Sequence, residues 1–170
     1  KGLAHGPQIA GANVVKLLKC LKANGAVPSS VKDPVWKYKW VQSHEPENFA
    51  RTDKWLDVKE YLLLRCTGRA VMTEDSAYAT LLYDTKKRAW SESLCRMFGV
   101  NMDHLPPVIQ SADKAGGLTG RAAEELGLVP GTPVFGGGGD ASLIGIGAGA
   151  AAVGSTHIYC GTSGWVSTVT

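Results

Sequence analysis

The stretch Phe135-Gly136-Gly137-Gly138-Gly139-Asp140-Ala141 sets four consecutive glycines directly ahead of a single carboxylate. Without Cβ atoms the backbone can approach a bulky polyanion closely, which is what a site needs when one acid must work beside phosphate groups. Asp140 is also the last acidic residue, and no Asp, Glu, Lys or Arg follows it. A second glycine-bounded loop, Gly161-Thr162-Ser163-Gly164, comes later; its backbone N–H groups and two hydroxyls can donate to phosphate oxygens. A carboxylate that takes the proton of an attacking hydroxyl, together with a donor-lined cradle, are the parts that phosphoryl transfer requires. Asp140 is therefore the candidate catalytic base, with Mg2+ close by bridging phosphate oxygens.

Other glycine-rich chemistries fit less well. Gly136-x-Gly138-x-x-Ala141 formally satisfies the dinucleotide fingerprint, but that site wants an acid about 20 residues on to hold the ribose, and none exists beyond Asp140. No Gly-Lys-Ser/Thr follows the glycines, which excludes a Walker A loop. No serine sits in G-x-S-x-G, and the histidines are scattered. Cys20, Cys66, Cys95 and Cys160 lie far apart, with no C-x-x-C and no His-x-x-x-His to complete a zinc site, so no protein-held metal is expected. They read as free thiols in a reducing, cytoplasmic compartment.

The elements that must position these loops follow from periodicity and punctuation. From Ile9 onward, Val14, Leu17, Leu18 and Leu21 recur at helical spacing, Lys16, Lys19 and Lys22 share the other face, and Gly25 stops the helix. Leu3 to Gln8, with His5, reads as an irregular entry. Asp33-Pro34 predicts a cap and a first helical turn, with Trp36, Trp40, Val41 and His44 along one side, the tryptophans as core and His44 as a helix-end histidine, and Pro46 at the end. Asp57 to Glu60 has the pattern of a helix start; Val58, Tyr61, Leu62 and Leu64 are its expected buried residues, and Gly68 its stop. Met72 to Tyr78 reads as a polar cap or turn. Ser91 starts a helix bearing Leu94, Cys95 and Phe98 up to Gly99, and Leu105-Pro106-Pro107 breaks the pattern. Gly116-Gly117 reads as a turn, Thr119 caps a helix closed by Gly127, and Thr132 to Phe135 forms a short strand. Ala141 to Ala152 is a small-residue helix, followed by strands over Thr156 to Cys160 and Trp165 to Val169. Most helices are expected before Asp140 and most strands after it.

At 170 residues the chain can bury a core without staples. A net charge of +3, from 18 basic and 15 acidic residues with no run of five like charges, points to neither nucleic acid nor an anionic membrane as partner. The apolar stretch Ala141 to Val153 is too short and too rich in glycine to span a bilayer. The opening at Lys1 and the strand-like close at Thr170 suggest a piece of a longer protein.

The chain resembles the FGGY carbohydrate kinases, and within them the xylulokinase-like branch. The residues that carry the resemblance begin with Lys37-Tyr38-Lys39-Trp40-Val41, His44-Glu45-Pro46-Glu47, Phe49 and Thr52-Asp53-Lys54-Trp55-Leu56. They continue through Tyr61 to Gly68, Asp75-Ser76-Ala77, Tyr83-Asp84, Trp90, Leu105-Pro106, Gly127-Leu128, Gly131 to Val134, Gly136 to Asp140 and Gly161 to Gly164. The resemblance covers Val31 to Thr170 in the right order. It implies an α/β fold that is a fragment of the actin-like, ribonuclease-H-like ATPase architecture, helix-rich, with a short strand before the Gly-Asp loop and a C-terminal β-hairpin. It also implies that residues 1–153 are the C-terminal part of a first, sugar-binding lobe and 154–170 the start of a second, nucleotide-binding lobe.

Carried over residue by residue, the resemblance makes Asp140 the catalytic base and a sugar contact. It puts Asp75 toward the sugar and Gly161, Thr162, Ser163 and Gly164 on the phosphates of ATP. The implied reaction is ATP-dependent phosphorylation of a small sugar, a ketopentose such as xylulose, with ATP and Mg2+ as cofactors and a homodimer as the admissible assembly. The chain departs from the family pattern in having no D-x-G-T phosphate hairpin, no sugar-contacting tryptophan, acid and arginine ahead of Val31, and no adenosine-binding glycine motif. Ser43 stands where a charged or amide residue is common. The expected consequence is a chain inactive by itself. The rival reading is a helical binding or regulatory module whose glycine segment only packs helix on strand.

Overall fold

The computed structural model describes residues 6–9 and 12–170, with the side chains at 9 and 12 left aside. His5 and the first part of the expected irregular entry lie outside the described residues. The chain divides into two compact units, Lys1–Gly137 and Gly138–Thr170.

In the first unit, β1 (Gln8–Ile9) pairs antiparallel with β2 (Ala12–Asn13) and leads into α1 (Val14–Ala23). The Asn13 side chain caps α1 by accepting from the Lys16 N–H at 3.0 Å. At the other end Gly25, at φ +90°, sends its N–H back to the Cys20 carbonyl, the stop expected there. Then follow α2 (Pro34–His44) and α3 (Pro46–Ala50), which Pro46 opens as its first residue besides ending α2. Next come α4 (Val58–Thr67), β3 (Met72–Thr73), α5 (Glu74–Ala79), β4 (Tyr83–Asp84), β5 (Ala89–Trp90) and α6 (Glu92–Phe98). A 3-10 turn at Met102–His104 precedes β6 (Val108–Ile109), β7 (Lys114–Gly117), α7 (Gly120–Leu126) and β8 (Pro133–Phe135). The strands pair in small sheets: β4 with β5 antiparallel, β3 with β6 parallel in the register Met72↔Val108, and β7 with β8 antiparallel through a bulge between Lys114 and Gly116.

The main core joins α1, α2 and α6 through Cys20, Val35, Tyr38, Leu82, Leu94, Cys95 and Phe98. A smaller cluster, Leu63, Val71 and Ala115, seats α4 on β7. The helix faces differ from those expected. In α2 the buried residues are Val35 and Tyr38, while Trp40 is 52% exposed and His44 stacks on it at the surface. In α4 they are Glu60 and Leu63, and Val58, Tyr61 and Leu62 face outward. In α1 only Cys20 is buried, and Leu18 and Leu21 are exposed. Each of these helices carries apolar residues on more than one side, so spacing alone left the inward side undecided.

Three further corrections concern local structure. Asp33 does not cap α2; its Oδ2 accepts the N–H groups of Ser29 and Ser30 and so closes the preceding turn. Gly116-Gly117 is strand and not turn. A Cβ on Gly116 would lie 2.8 Å from Thr67 Cβ, and one on Gly117 3.0 Å from the Gly131 carbonyl oxygen, so these glycines admit α4 and the neighbouring turn. Eight short strands precede Asp140 among the described residues, against two after it. Pairs of two to four residues leave little alternating pattern to read.

The second unit holds α8 (Asp140–Gly147) and the antiparallel hairpin β9 (Thr156–Cys160) and β10 (Gly164–Thr168). Gly145 lets the hairpin close on α8, because a Cβ there would lie 2.7 Å from His157 Cε1. The Gly154 N–H on the Val169 carbonyl and the Val169 N–H on the Ser155 carbonyl tie the open end of the hairpin.

Candidate active site

The glycine segment begins as a continuation of β8. The Gly136 N–H donates to the Asp113 carbonyl at 3.0 Å and the Gly137 N–H to the Ser111 carbonyl at 2.9 Å. At Gly136 a Cβ would lie 2.7 Å from Thr73 Cγ2 and 2.9 Å from the Gln110 carbonyl oxygen, so no other residue fits without displacing backbone. Gly137 takes φ +71°, the left-handed region. Gly139 is the N-cap of α8 and Asp140 its first residue, where the helix dipole favours a negative charge. Asp140 is exposed, and its Oδ1 accepts the N–H of Ala141 at 2.9 Å. Among the described residues no ion pair reaches it. A carboxylate presented this way is open to an incoming hydrogen-bond donor.

Asp75 lies in the first turn of α5, in the first unit. Its Oδ1 accepts the Thr73 hydroxyl, which also lies 3.4 Å from Ser76 Oγ and 3.4 Å from Glu60 Oε1. Lys59 closes this group, with Nζ 2.6 Å from Glu60 Oε1, 2.6 Å from Thr73 Oγ1 and 3.4 Å from the Gly136 carbonyl oxygen. Glu60 is fully buried, and its Oε2 has no hydrogen-bond partner. Neither Lys59 nor Glu60 stood out in the sequence as a site residue, since Asp57 to Glu60 read only as the start of a helix. The readable signal was the acid itself, on a helix whose exposed side turns out to be apolar.

The expected phosphate cradle is the tip of the β9–β10 hairpin, with Gly161, Thr162, Ser163 and Gly164 all exposed. The Gly161 N–H donates to the Ser163 carbonyl at 3.0 Å, which holds the tip tight. A Cβ on Gly161 would stand 2.5 Å from the Tyr159 hydroxyl, so a side chain there would displace the Tyr159 ring. Tyr159 stacks on Trp165 beneath the turn with ring centroids 5.2 Å apart. The donor set suits phosphate: two hydroxyls and a bare backbone on a braced turn. Among the described residues no three His, Cys, Asp or Glu side chains gather to hold a metal ion.

The strongest electrostatic departures lie in the scaffold. Arg88 forks onto both oxygens of Glu74 at 2.8 Å, and the Tyr83 hydroxyl donates to Glu74 Oε1 at 2.6 Å. Arg88, then Tyr83, holds the Glu74 carboxyl below its ordinary range. Burial, then Glu74, pushes the Tyr83 phenol up to about 12. Burial also pushes the Cys20 and Cys95 thiols up to about 11. The Glu74 group braces α5 against the β4–β5 ribbon.

Residues 16–147 match the family described as the FGGY family of carbohydrate kinases, N-terminal domain. The chain is 38% identical over 128 residues to a xylulose kinase of Bacillus subtilis, covering 75% of this chain and 26% of that protein. It is 34% identical over 128 residues to a xylulose kinase of Escherichia coli, with the same coverage of 75% and 26%. Among solved structures, a ligand-bound xylulose kinase from Lactobacillus acidophilus superposes with a TM-score of 0.77 at 25% identity, covering 88% of this chain and 30% of that one. The chain thus spans about a quarter of the length of the curated relatives it matches.

Proposed function

The chain belongs to the FGGY family of carbohydrate kinases, and from that premise we propose that the complete protein transfers the γ-phosphoryl group of ATP to a hydroxyl of a small sugar. The substrate class is a ketopentose such as xylulose; the names of the relatives at 38% and 34% identity support it. The observation that carries the mechanism is Asp140, an exposed carboxylate at the first turn of α8 behind four glycines.

Asp140 accepts the proton of the sugar hydroxyl as that oxygen attacks, and the Ala141 N–H on its Oδ1 leaves the other carboxylate oxygen for that proton. Asp75, fixed by Thr73, contributes to the sugar side. The Thr162 and Ser163 hydroxyls and the backbone of the hairpin tip would hold phosphate oxygens, and Tyr159 keeps that tip from collapsing. ATP supplies the phosphoryl group, and Mg2+ is proposed to arrive with it and neutralise its phosphate charge. Residues 1–153 would belong to the sugar-binding lobe and 154–170 to the nucleotide-binding lobe.

The deciding experiment is Asp140→Asn in the full-length enzyme, with turnover of xylulose and ATP measured beside sugar affinity by calorimetry. Loss of a general base lowers kcat by about 10²- to 10⁴-fold while the sugar still binds. Turnover close to the unaltered enzyme would reject the assignment.

A further inference from the structure

Lys59 has no part in the chemistry proposed above, yet it lies where the Asp75 group meets the stem of the glycine segment. Its ammonium contacts the Thr73 hydroxyl that holds Asp75 and also reaches the carbonyl of Gly136. Gly136 is packed against Thr73 so closely that a methyl group does not fit. The Lys59 stem runs along Gly137, whose Cβ position would be 3.8 Å from Lys59 Cδ. The carboxylate that balances the ammonium, Glu60, is fully buried with one oxygen unpartnered. An ion pair held at such a desolvation cost adds little net stability. Its other consequence is a fixed donor aimed at the backbone of the stem.

We propose that Lys59 is a positioning residue: with Glu60 and Thr73 it clamps the Gly136 carbonyl and thereby fixes the point at which the glycine segment that leads to Asp140 leaves β8. The inference rests on the reading of Asp140 as the base. Gly136 to Gly139 have no side chains of their own to hold a conformation, and the peptide backbone of glycine is the freest in the chain. Anchoring at Gly136 by Lys59, and at Gly136 and Gly137 by the carbonyls of Asp113 and Ser111, removes that freedom where the loop leaves β8. The same Thr73 hydroxyl serves Asp75, so the clamp ties the sugar-side acid to the stem of the base's loop.

The test is the pair of full-length variants Lys59→Met/Glu60→Gln and Lys59→Arg. The first removes the clamp without leaving a buried charge alone, and the second keeps a cation that can still reach Gly136. The double variant is expected to lower kcat roughly 10- to 100-fold, as a misplacement of about 1 Å does, with KM for ATP unchanged. Hydrogen exchange of the amides of residues 136–140 should quicken while α4 and α6 keep their protection, and Lys59→Arg should restore most of the kcat. Unchanged exchange at 136–140, or unchanged kcat in the double variant, overturns the proposal. So does faster exchange spread over the whole unit, which marks a merely structural role. Asp140→Asn assayed alongside separates the two ideas: its near-normal turnover would reject the base, whereas exchange at 136–140 reports on the clamp whatever Asp140 does.

Discussion

Tyr83, Glu74 and Arg88 show how single residues tie the stability of this scaffold to pH. Because burial and Glu74 raise the Tyr83 phenol from its ordinary 10.0 to about 12, its contribution is fully present below pH 10 and is lost as the pH rises through about 12. Glu74 runs the other way: held low by Arg88, it contributes above its ordinary 4.5 and loses that contribution as the pH falls through its lowered value. Urea titrations across pH should therefore show an alkaline fall that Tyr83→Phe flattens between pH 10 and pH 12, and an acid fall that Glu74→Gln flattens below about 4.5. The buried thiols deepen the alkaline fall, since Cys20 and Cys95 move from 9.0 to about 11. Exposure decides reactivity here too. A thiol reagent near neutral pH should label exposed Cys160 promptly and buried Cys20 and Cys95 only as the chain unfolds, as mass spectrometry of peptides would read out.

At the scale of the element, the helix ends are where residue type governs most directly. Ser91 and Thr119 accept the N–H groups of Leu94 and Ala122, and Gly68, Gly99 and Gly127 take φ values of +73°, +66° and +66°. Ser91→Ala should cost about 1 kcal/mol in denaturant unfolding, the usual value of an N-cap. Two glycines separate backbone conformation from space. Gly68→Ala meets nothing nearer than Thr119 Cγ2 at 3.9 Å, so only the left-handed conformation opposes it, at about 1–2 kcal/mol. Gly136→Ala drives a methyl against Thr73 and the Gln110 carbonyl at under 3 Å and should destabilise more than Gly68→Ala. Equal losses in the two variants would contradict the close approach at the stem.

At the scale of the molecule, the chain presents apolar helix surface that its own described residues leave uncovered: Val15, Leu18 and Leu21 on α1, and Val58, Tyr61 and Leu62 on α4. Spanning 26% of the xylulose kinases it matches, it carries the proposed base and one proposed phosphate loop. By itself it should therefore show no ATP-dependent phosphorylation of xylulose in a coupled assay, in contrast to the activity proposed for the full-length enzyme. Turnover by the 170-residue chain alone would reject that expectation. No helix among the described residues is long and apolar enough to cross a membrane.

Local chemistry was legible without coordinates. Serine, threonine or aspartate before a helix and glycine after it set the ends of α4, α6 and α7, because caps satisfy backbone groups within a few residues of chain. The run of glycines likewise announced a bare approach to Asp140, and the spacing of the last two strands announced the hairpin. The sides of the helices were only partly legible: Trp36 packs on the core beside buried Val35 and Tyr38 while Trp40 is exposed, and Glu60 and Leu63 are buried instead of Tyr61 and Leu62. Which side turns inward depends on partners far along the chain. The parallel pairing of Met72 with Val108 and the strand character of Gly116 and Gly117 have the same origin. The meeting of Lys59, Glu60, Thr73 and Gly136 is the clearest case. A lysine and a glycine carbonyl 77 positions apart carry no mutual signature in sequence, and only folding α4, β3 and β8 together brings the Lys59 ammonium to the stem of the loop.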